Sequence, residues 1–120
     1  IEKAKAVYAT QKELSGFLPE FQNVSLNTLK ELPIHSIRGS GYVLDTLVSS
    51  LWCLLHTDCF RSCVLQAVNL GEDTDTVGAV TGGLAGLYYG LDAIPKEWLS
   101  TLSRKEDIET LCDRFHEGLH

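Results

Sequence analysis

Apolar side chains recur along most of this chain at intervals of three and four residues, the spacing that lines one face of an α-helix. Ala4, Val7, Tyr8, Gln11 and Leu14 share one such face, and Ser15-Gly16 is the stop expected at its end. From Phe17 to Gly41 the pattern weakens. Pro19, Pro33, Gly39 and Gly41 punctuate this stretch, and only Leu26 to Leu32 keeps enough periodicity for a helical turn. The signal then sharpens, because Leu44, Leu47, Val48, Leu51, Trp52 and Leu55 follow the i, i+3, i+4, i+7 template. After a very short connection a second strong helix follows, with Thr57 or Asp58 as its cap and Phe60, Cys63, Val64, Ala67 and Val68 inside. Gly71 sits just past its end, where a left-handed residue is favoured. So short a link predicts that the two helices pack as antiparallel neighbours.

A third helix is predicted to start at Asp73 to Thr76 and to run to about Gly90. Pro95 suits the first position of a short helical turn carrying Trp98 and Leu102. Ser103 and Glu106 have the spacing of a capping box for a last helix with Ile108, Leu111, Cys112 and Phe115 inside. No alternating strand pattern of useful length occurs. The expected fold class is all-α, a compact helical bundle forming a single domain over residues 1–120.

Two features of residues 69–90 need explanation. The first is the glycine content of a helix: Gly78, Gly82, Gly86 and Gly90 recur every fourth residue. Each interior glycine costs a helix about 0.8–1 kcal/mol relative to alanine. Close approach of a neighbouring helix is the natural offset, so these glycines are expected to position the helix and to do no chemistry. The second is the cluster Asp73-Thr74-Asp75-Thr76, which places two carboxylates and a hydroxyl within one turn. Hard oxygen donors of this kind suit Mg²⁺ or a similar cation. Asp and Thr are equally favoured in first turns for structural reasons alone, so capping and metal binding both stand as readings of Asp73, Asp75 and Thr76.

Composition narrows the partners. The net charge is −6 and no block of basic residues exists, which argues against nucleic acid and anionic membrane surfaces. The longest weakly polar run, Val77 to Leu91, is 15 residues and too short to span a bilayer. The N-terminus is charged and helical in pattern, unlike a secretory signal, so a cytoplasmic location is expected. Cys53, Cys59, Cys63 and Cys112 form no CxxC pair and read as reduced thiols. The chain has no methionine, so it is expected to be a piece of a longer protein.

The string Gly71-Glu72-Asp73-Thr74-Asp75-Thr76, followed by Thr81-Gly82-Gly83-Leu84-Ala85-Gly86-Leu87-Tyr88-Tyr89-Gly90, resembles the C-terminal signature of the ADP-ribosylglycohydrolase family. Upstream, Gly39-Ser40-Gly41-Tyr42-Val43 with Asp45-Thr46-Leu47 and Leu51-Trp52 is similar to the family's preceding helix, so the likeness covers about residues 38–98. The family more often has glycine where this chain has Glu72. The resemblance implies the C-terminal portion of an all-α domain that holds a pair of Mg²⁺ ions, or other divalent metals, in a cleft. Asp73, Asp75 and Thr76 match the family's C-terminal metal ligands. Implied with them is hydrolysis of an ADP-ribosyl or related ribosyl glycosidic bond, with ADP-ribose or ADP-ribosylated protein as the bound partner. The catalytic acid and remaining ligands are expected in an N-terminal half that this chain does not contain. The chain alone is therefore expected to be inactive, and that half or a second copy of the chain is an expected partner. A non-catalytic member, holding ADP-ribose or metal or serving a structural role like the family's crystallin relatives, is the alternative.

Other signals carry less. His116-Glu117-Gly118-Leu119-His120 is a literal HExxH, but Gly118 weakens the helix that a zinc site needs, and the sequence ends there. Asp73-Thr74-Asp75-Thr76-Val77 fits a phosphatase nucleophile pattern, yet that chemistry requires a preceding strand where this chain predicts a helix. His35 and His56 are expected to face solvent or to cap, and Cys53 to be a small buried residue.

Overall fold

The computed structural model describes residues 2–13, 15–21 and 24–119. All regular structure among them is helical, as the periodicity predicts. In chain order the helices are α1 (Glu2–Thr10), α2 (Leu26–Glu31), α3 (Val43–Leu55), α4 (Phe60–Val68), α5 (Thr74–Tyr89), α6 (Lys96–Thr101) and α7 (Lys105–Glu117). Short 3₁₀ turns lie at Ser15–Phe21, Ile34–Ser36 and Leu91–Ala93. None of the described helices is long and apolar enough to cross a membrane.

The core is the meeting of α3, α4 and α5, each of which packs against the other two. Trp52 and Cys53 from α3, Phe60, Cys63 and Ala67 from α4, and Val77 and Ala85 from α5 form one buried cluster with Ile37. Full burial of a Val- or Phe-sized side chain stabilises by about 1.5–3 kcal/mol. Small polar residues are buried with this cluster, and one pair of them joins α3 to α5. Ser49, Ser50 and Thr81 are fully buried, and the Thr81 hydroxyl donates to Ser50 Oγ at 3.0 Å. Ser49 donates to the Thr46 carbonyl, so each of the three hydroxyls has a partner within the chain. Side-chain hydrogen bonds tie neighbouring segments to this core. Trp52 Nε1 donates to the Leu32 carbonyl at 2.8 Å, and the Tyr89 hydroxyl donates to the Thr57 carbonyl at 3.0 Å. Trp98 of α6 meets Phe60 edge-on, with the Arg61 guanidinium 5.4 Å above its ring.

Several sequence expectations move. Helix α1 ends at Thr10, and Ser15-Gly16 opens a 3₁₀ turn instead of stopping a helix; Leu14 lies outside the described residues. The cap of α4 is Cys59, whose Sγ accepts from the Ser62 N–H at 3.5 Å. Thr57 is not that cap, because its hydroxyl turns back to the Cys53 carbonyl. Gly71 is left-handed at φ 82°, but it lies two residues beyond the α4 cap Asn69. Pro95 precedes α6 as its cap residue and is not its first turn. The capping box fails: Arg104 is the cap residue of α7, left-handed and without a side-chain bond to the helix. Ile108, Leu111, Cys112 and Phe115, expected inside, are all exposed on α7.

The glycine expectation holds at one position. A side chain at Gly78 would press on Val68 at 3.0 Å, which is close helix approach, whereas Gly82 and Gly83 face open space. Gly90 serves differently, ending α5 with a left-handed φ of 85°.

Candidate metal centre

The chain enters α5 through two consecutive left-handed residues, Gly71 at φ 82° and Glu72 at φ 59°. A non-glycine residue in that region costs about 1–2 kcal/mol, which is a physical reason to favour glycine at position 72. The turn delivers Asp73 as the cap residue of α5, with Asp75 and Thr76 in its first turn. A single helix end thus brings together all three residues singled out from the sequence.

The geometry bears on whether these residues serve only as a cap. Asp73 makes no side-chain cap hydrogen bond, so its carboxylate is not spent on the orphan N–H groups of the helix. Asp75 Oδ1 accepts from the Thr76 N–H at 2.9 Å. Hydrogen bonding with the Asp73 side chain, together with the N–H groups of Thr76 and of Asp75 itself, holds Asp75 below the usual aspartate range. With two carboxylate donors, a neighbouring hydroxyl and the positive end of a 16-residue helix, the set is hard and oxygen-only. It fits Mg²⁺ or a similar cation and does not suit a soft metal. Among the described residues no third His, Cys, Asp or Glu joins it.

Sequence reasoning noted the Gly39–Asp45 segment only for its resemblance; the fold sets it against the site. The Asp73 N–H donates to the Gly39 carbonyl at 2.8 Å. Gly39 is buried against the backbone of Gly71, and Gly41 lies against the Asp73 carboxylate. Ser40 Oγ donates to Asp45 Oδ2 and accepts from the Tyr42 N–H at 3.3 Å. The Thr46 hydroxyl donates to the Ser40 carbonyl at 3.2 Å, and Arg38 Nε lies 3.9 Å from Asp45. The sequence signal for this turn was a pair of glycines flanking a serine just before a strong helix, which could not say what the turn touches.

The remaining candidates stand apart. Burial pushes the Cys53 thiol up to about 12, with nearby Cys63 adding to the shift, so it is no nucleophile at neutral pH. His56 is the exposed cap residue closing α3; its ring stacks on Trp52 and reaches the Trp52 and Lys30 carbonyls. His35 is exposed. Helix α7 ends at Glu117, so His116 and Glu117 occupy its last turn, and His120 lies outside the described residues. Asp73 follows helix α4 through a turn, so the strand that a phosphatase nucleophile requires is not what precedes it.

Comparison with known proteins adds the family. The sequence profile described as ADP-ribosylglycohydrolase matches residues 1–120. The chain is 43% identical over 92 residues to the ADP-ribosylarginine hydrolase Tri1 of Serratia proteamaculans (strain 568), a match covering 77% of this chain and 25% of that protein. It is 47% identical over 72 residues to the ADP-ribosyl-(dinitrogen reductase) glycohydrolase of Rhodospirillum rubrum, covering 60% and 24%. To the ADP-ribosylhydrolase ARH3 of Bos taurus it is 32% identical over 120 residues, covering 91% and 32%. The chain thus spans from a quarter to a third of the length of these relatives.

Proposed function

This chain belongs to the ADP-ribosylglycohydrolase family, and from that premise we propose that it supplies one wall of a divalent-metal site in a hydrolase of ADP-ribosyl glycosidic bonds. The observation that carries the reading is that one helix end gathers Asp73, Asp75 and Thr76 while the Asp73 carboxylate is left out of helix capping.

In this reading Asp73, Asp75 and Thr76 hold Mg²⁺, or another divalent ion, as oxygen ligands. Held there, such an ion would supply charge and a template for the ribose hydroxyls of an ADP-ribosyl group. The helix end keeps the two carboxylates together, and its N–H groups lower the cost of holding them ionised. The Gly39–Gly41 turn limits the space around Asp73. The general acid and the other ligands belong to the rest of the complete protein. Names of the relatives support ADP-ribosyl substrates, an arginine-linked adduct being one class.

The test uses the complete protein. Asp75→Asn is expected to weaken Mg²⁺ binding in calorimetry and to lower release of ADP-ribose from a modified protein. Unchanged Mg²⁺ affinity would remove Asp75 from the ligand set. Binding of ADP-ribose without any release by the unaltered protein would favour the non-catalytic alternative. The 120-residue chain alone is expected to release no ADP-ribose, since its described residues bring together only two carboxylates and a threonine.

A further inference from the structure

The two glycines of the 39–41 turn meet the candidate centre in different ways. A methyl group at Gly39 would lie 2.5 Å from the Gly71 carbonyl oxygen, an atom fixed in the backbone. A methyl group at Gly41 would instead fall well inside contact distance of Asp73 Oδ2, the free end of a short side chain. Alanine at 39 therefore strains the fold, whereas alanine at 41 is accommodated by turning the Asp73 carboxylate away.

The turn has little freedom to yield. The Ser40 hydroxyl donates to Asp45 Oδ2 and accepts from the Tyr42 N–H, and the Ser40 carbonyl accepts from Thr46, which is 5% exposed. Gly39 is bound in turn to the Asp73 N–H. Asp45 stands in the first turn of α3, so this brace links the start of α3 to the start of α5. Deeper in, Thr81 and Ser50 join the same two helices.

We propose that Gly41 and Asp45 are positioning residues for the metal centre: Gly41 sets the orientation of the Asp73 carboxylate, and Asp45, through Ser40, holds Gly41 in place. The inference rests on the reading of Asp73 as a metal ligand. Partners that orient a ligand typically change metal affinity by about 10–100-fold when removed, with no contact of their own to the ion.

The experiment titrates the complete protein with Mn²⁺, read by electron paramagnetic resonance, and follows thermal unfolding in EDTA. Gly41→Ala is expected to weaken Mn²⁺ binding by about tenfold or more, with a metal-free unfolding temperature close to that of the parent. Asp45→Ala should weaken binding in the same direction, while Asp45→Asn, which keeps an acceptor for Ser40, should retain most of the affinity. Parental affinity in Gly41→Ala overturns the proposal. Equal losses in Asp45→Asn and Asp45→Ala would assign the effect to the charge of Asp45 and overturn its positioning role. If Gly41→Ala proves too unstable to assay, the Asp45 pair decides. Asp73→Asn separates the two levels: unchanged affinity there removes the metal reading, while a loss there beside an unaffected Gly41→Ala removes the positioning role alone.

Discussion

The starts of α5 and α7 are built from the same local parts. Each involves a non-glycine residue in the left-handed region at φ 59°, Glu72 ahead of α5 and Arg104 at the cap of α7. Each carries acid in its first turn, and neither cap residue bonds the helix with its side chain. The surroundings differ. At α7 the acid is answered locally and in solvent, by Arg104 to Asp107 at 2.7 Å. At α5 the turn is bound to a segment over thirty residues upstream, through Asp73 to Gly39 and the fit of Gly41 against Asp73. The bodies of the helices reverse the expectation from pattern. Helix α7 concentrates Ile108, Leu111 and Phe115 on one side and buries none of them, while glycine-rich α5 buries Val77, Thr81 and Ala85. A polar cluster at a helix start becomes a candidate site when the fold fixes it from a second direction.

Substitutions should separate the two helices clearly. Val77→Ala removes two buried methyl groups from the centre of the core and is expected to cost about 2–3 kcal/mol in urea unfolding; a change below about 0.5 kcal/mol would place Val77 outside the cooperative core. Next comes relief of the left-handed residues. Glu72→Gly should stabilise by roughly 0.5–1 kcal/mol, the strain removed less the added freedom of the unfolded chain. Arg104→Gly should gain less, because it also loses the exposed pair with Asp107. Equal gains at the two positions would mean that this pair contributes nothing.

The acid limb of stability tests the environment of Asp75. Asp75 is held below its ordinary value, so it adds stability above the unfolded pKa, about 3.9, that fades as the pH falls through the folded value. Solvent screens this exposed group and keeps the effect small. In EDTA the Asp75→Asn chain should show a flatter loss of stability over that acid range; an unchanged profile would show that the fold does not hold Asp75 below its ordinary value. The smallest effect is expected on α7, where Leu111→Ala at 65% exposure should stay within about 0.5 kcal/mol. A larger loss would show that α7 packs against something.

The residues Leu44 to Val68 show how much of the fold was legible. Their periodicity placed α3 and α4 and named Trp52, Phe60, Cys63 and Ala67 as inward, because a helix repeats its faces by local geometry alone. The same logic found α7 but wrongly buried its apolar face, since an apolar stripe states only that a helix has a face to cover, not that anything covers it. It also overread the glycines, because spacing cannot tell close approach at Gly78 from open space at Gly82.

At the candidate centre the division is similar. The sequence by itself determined the helix, its acidic first turn and the identity of Asp73, Asp75 and Thr76, all of which are contiguous and set by local chemistry. That the Asp73 N–H is bound to Gly39 and that Gly41, held by the Ser40–Asp45 brace, confines the Asp73 carboxylate were decided only by the tertiary structure. These contacts join residues far apart along the chain, and no local preference records which backbone a folded helix will bring beside them.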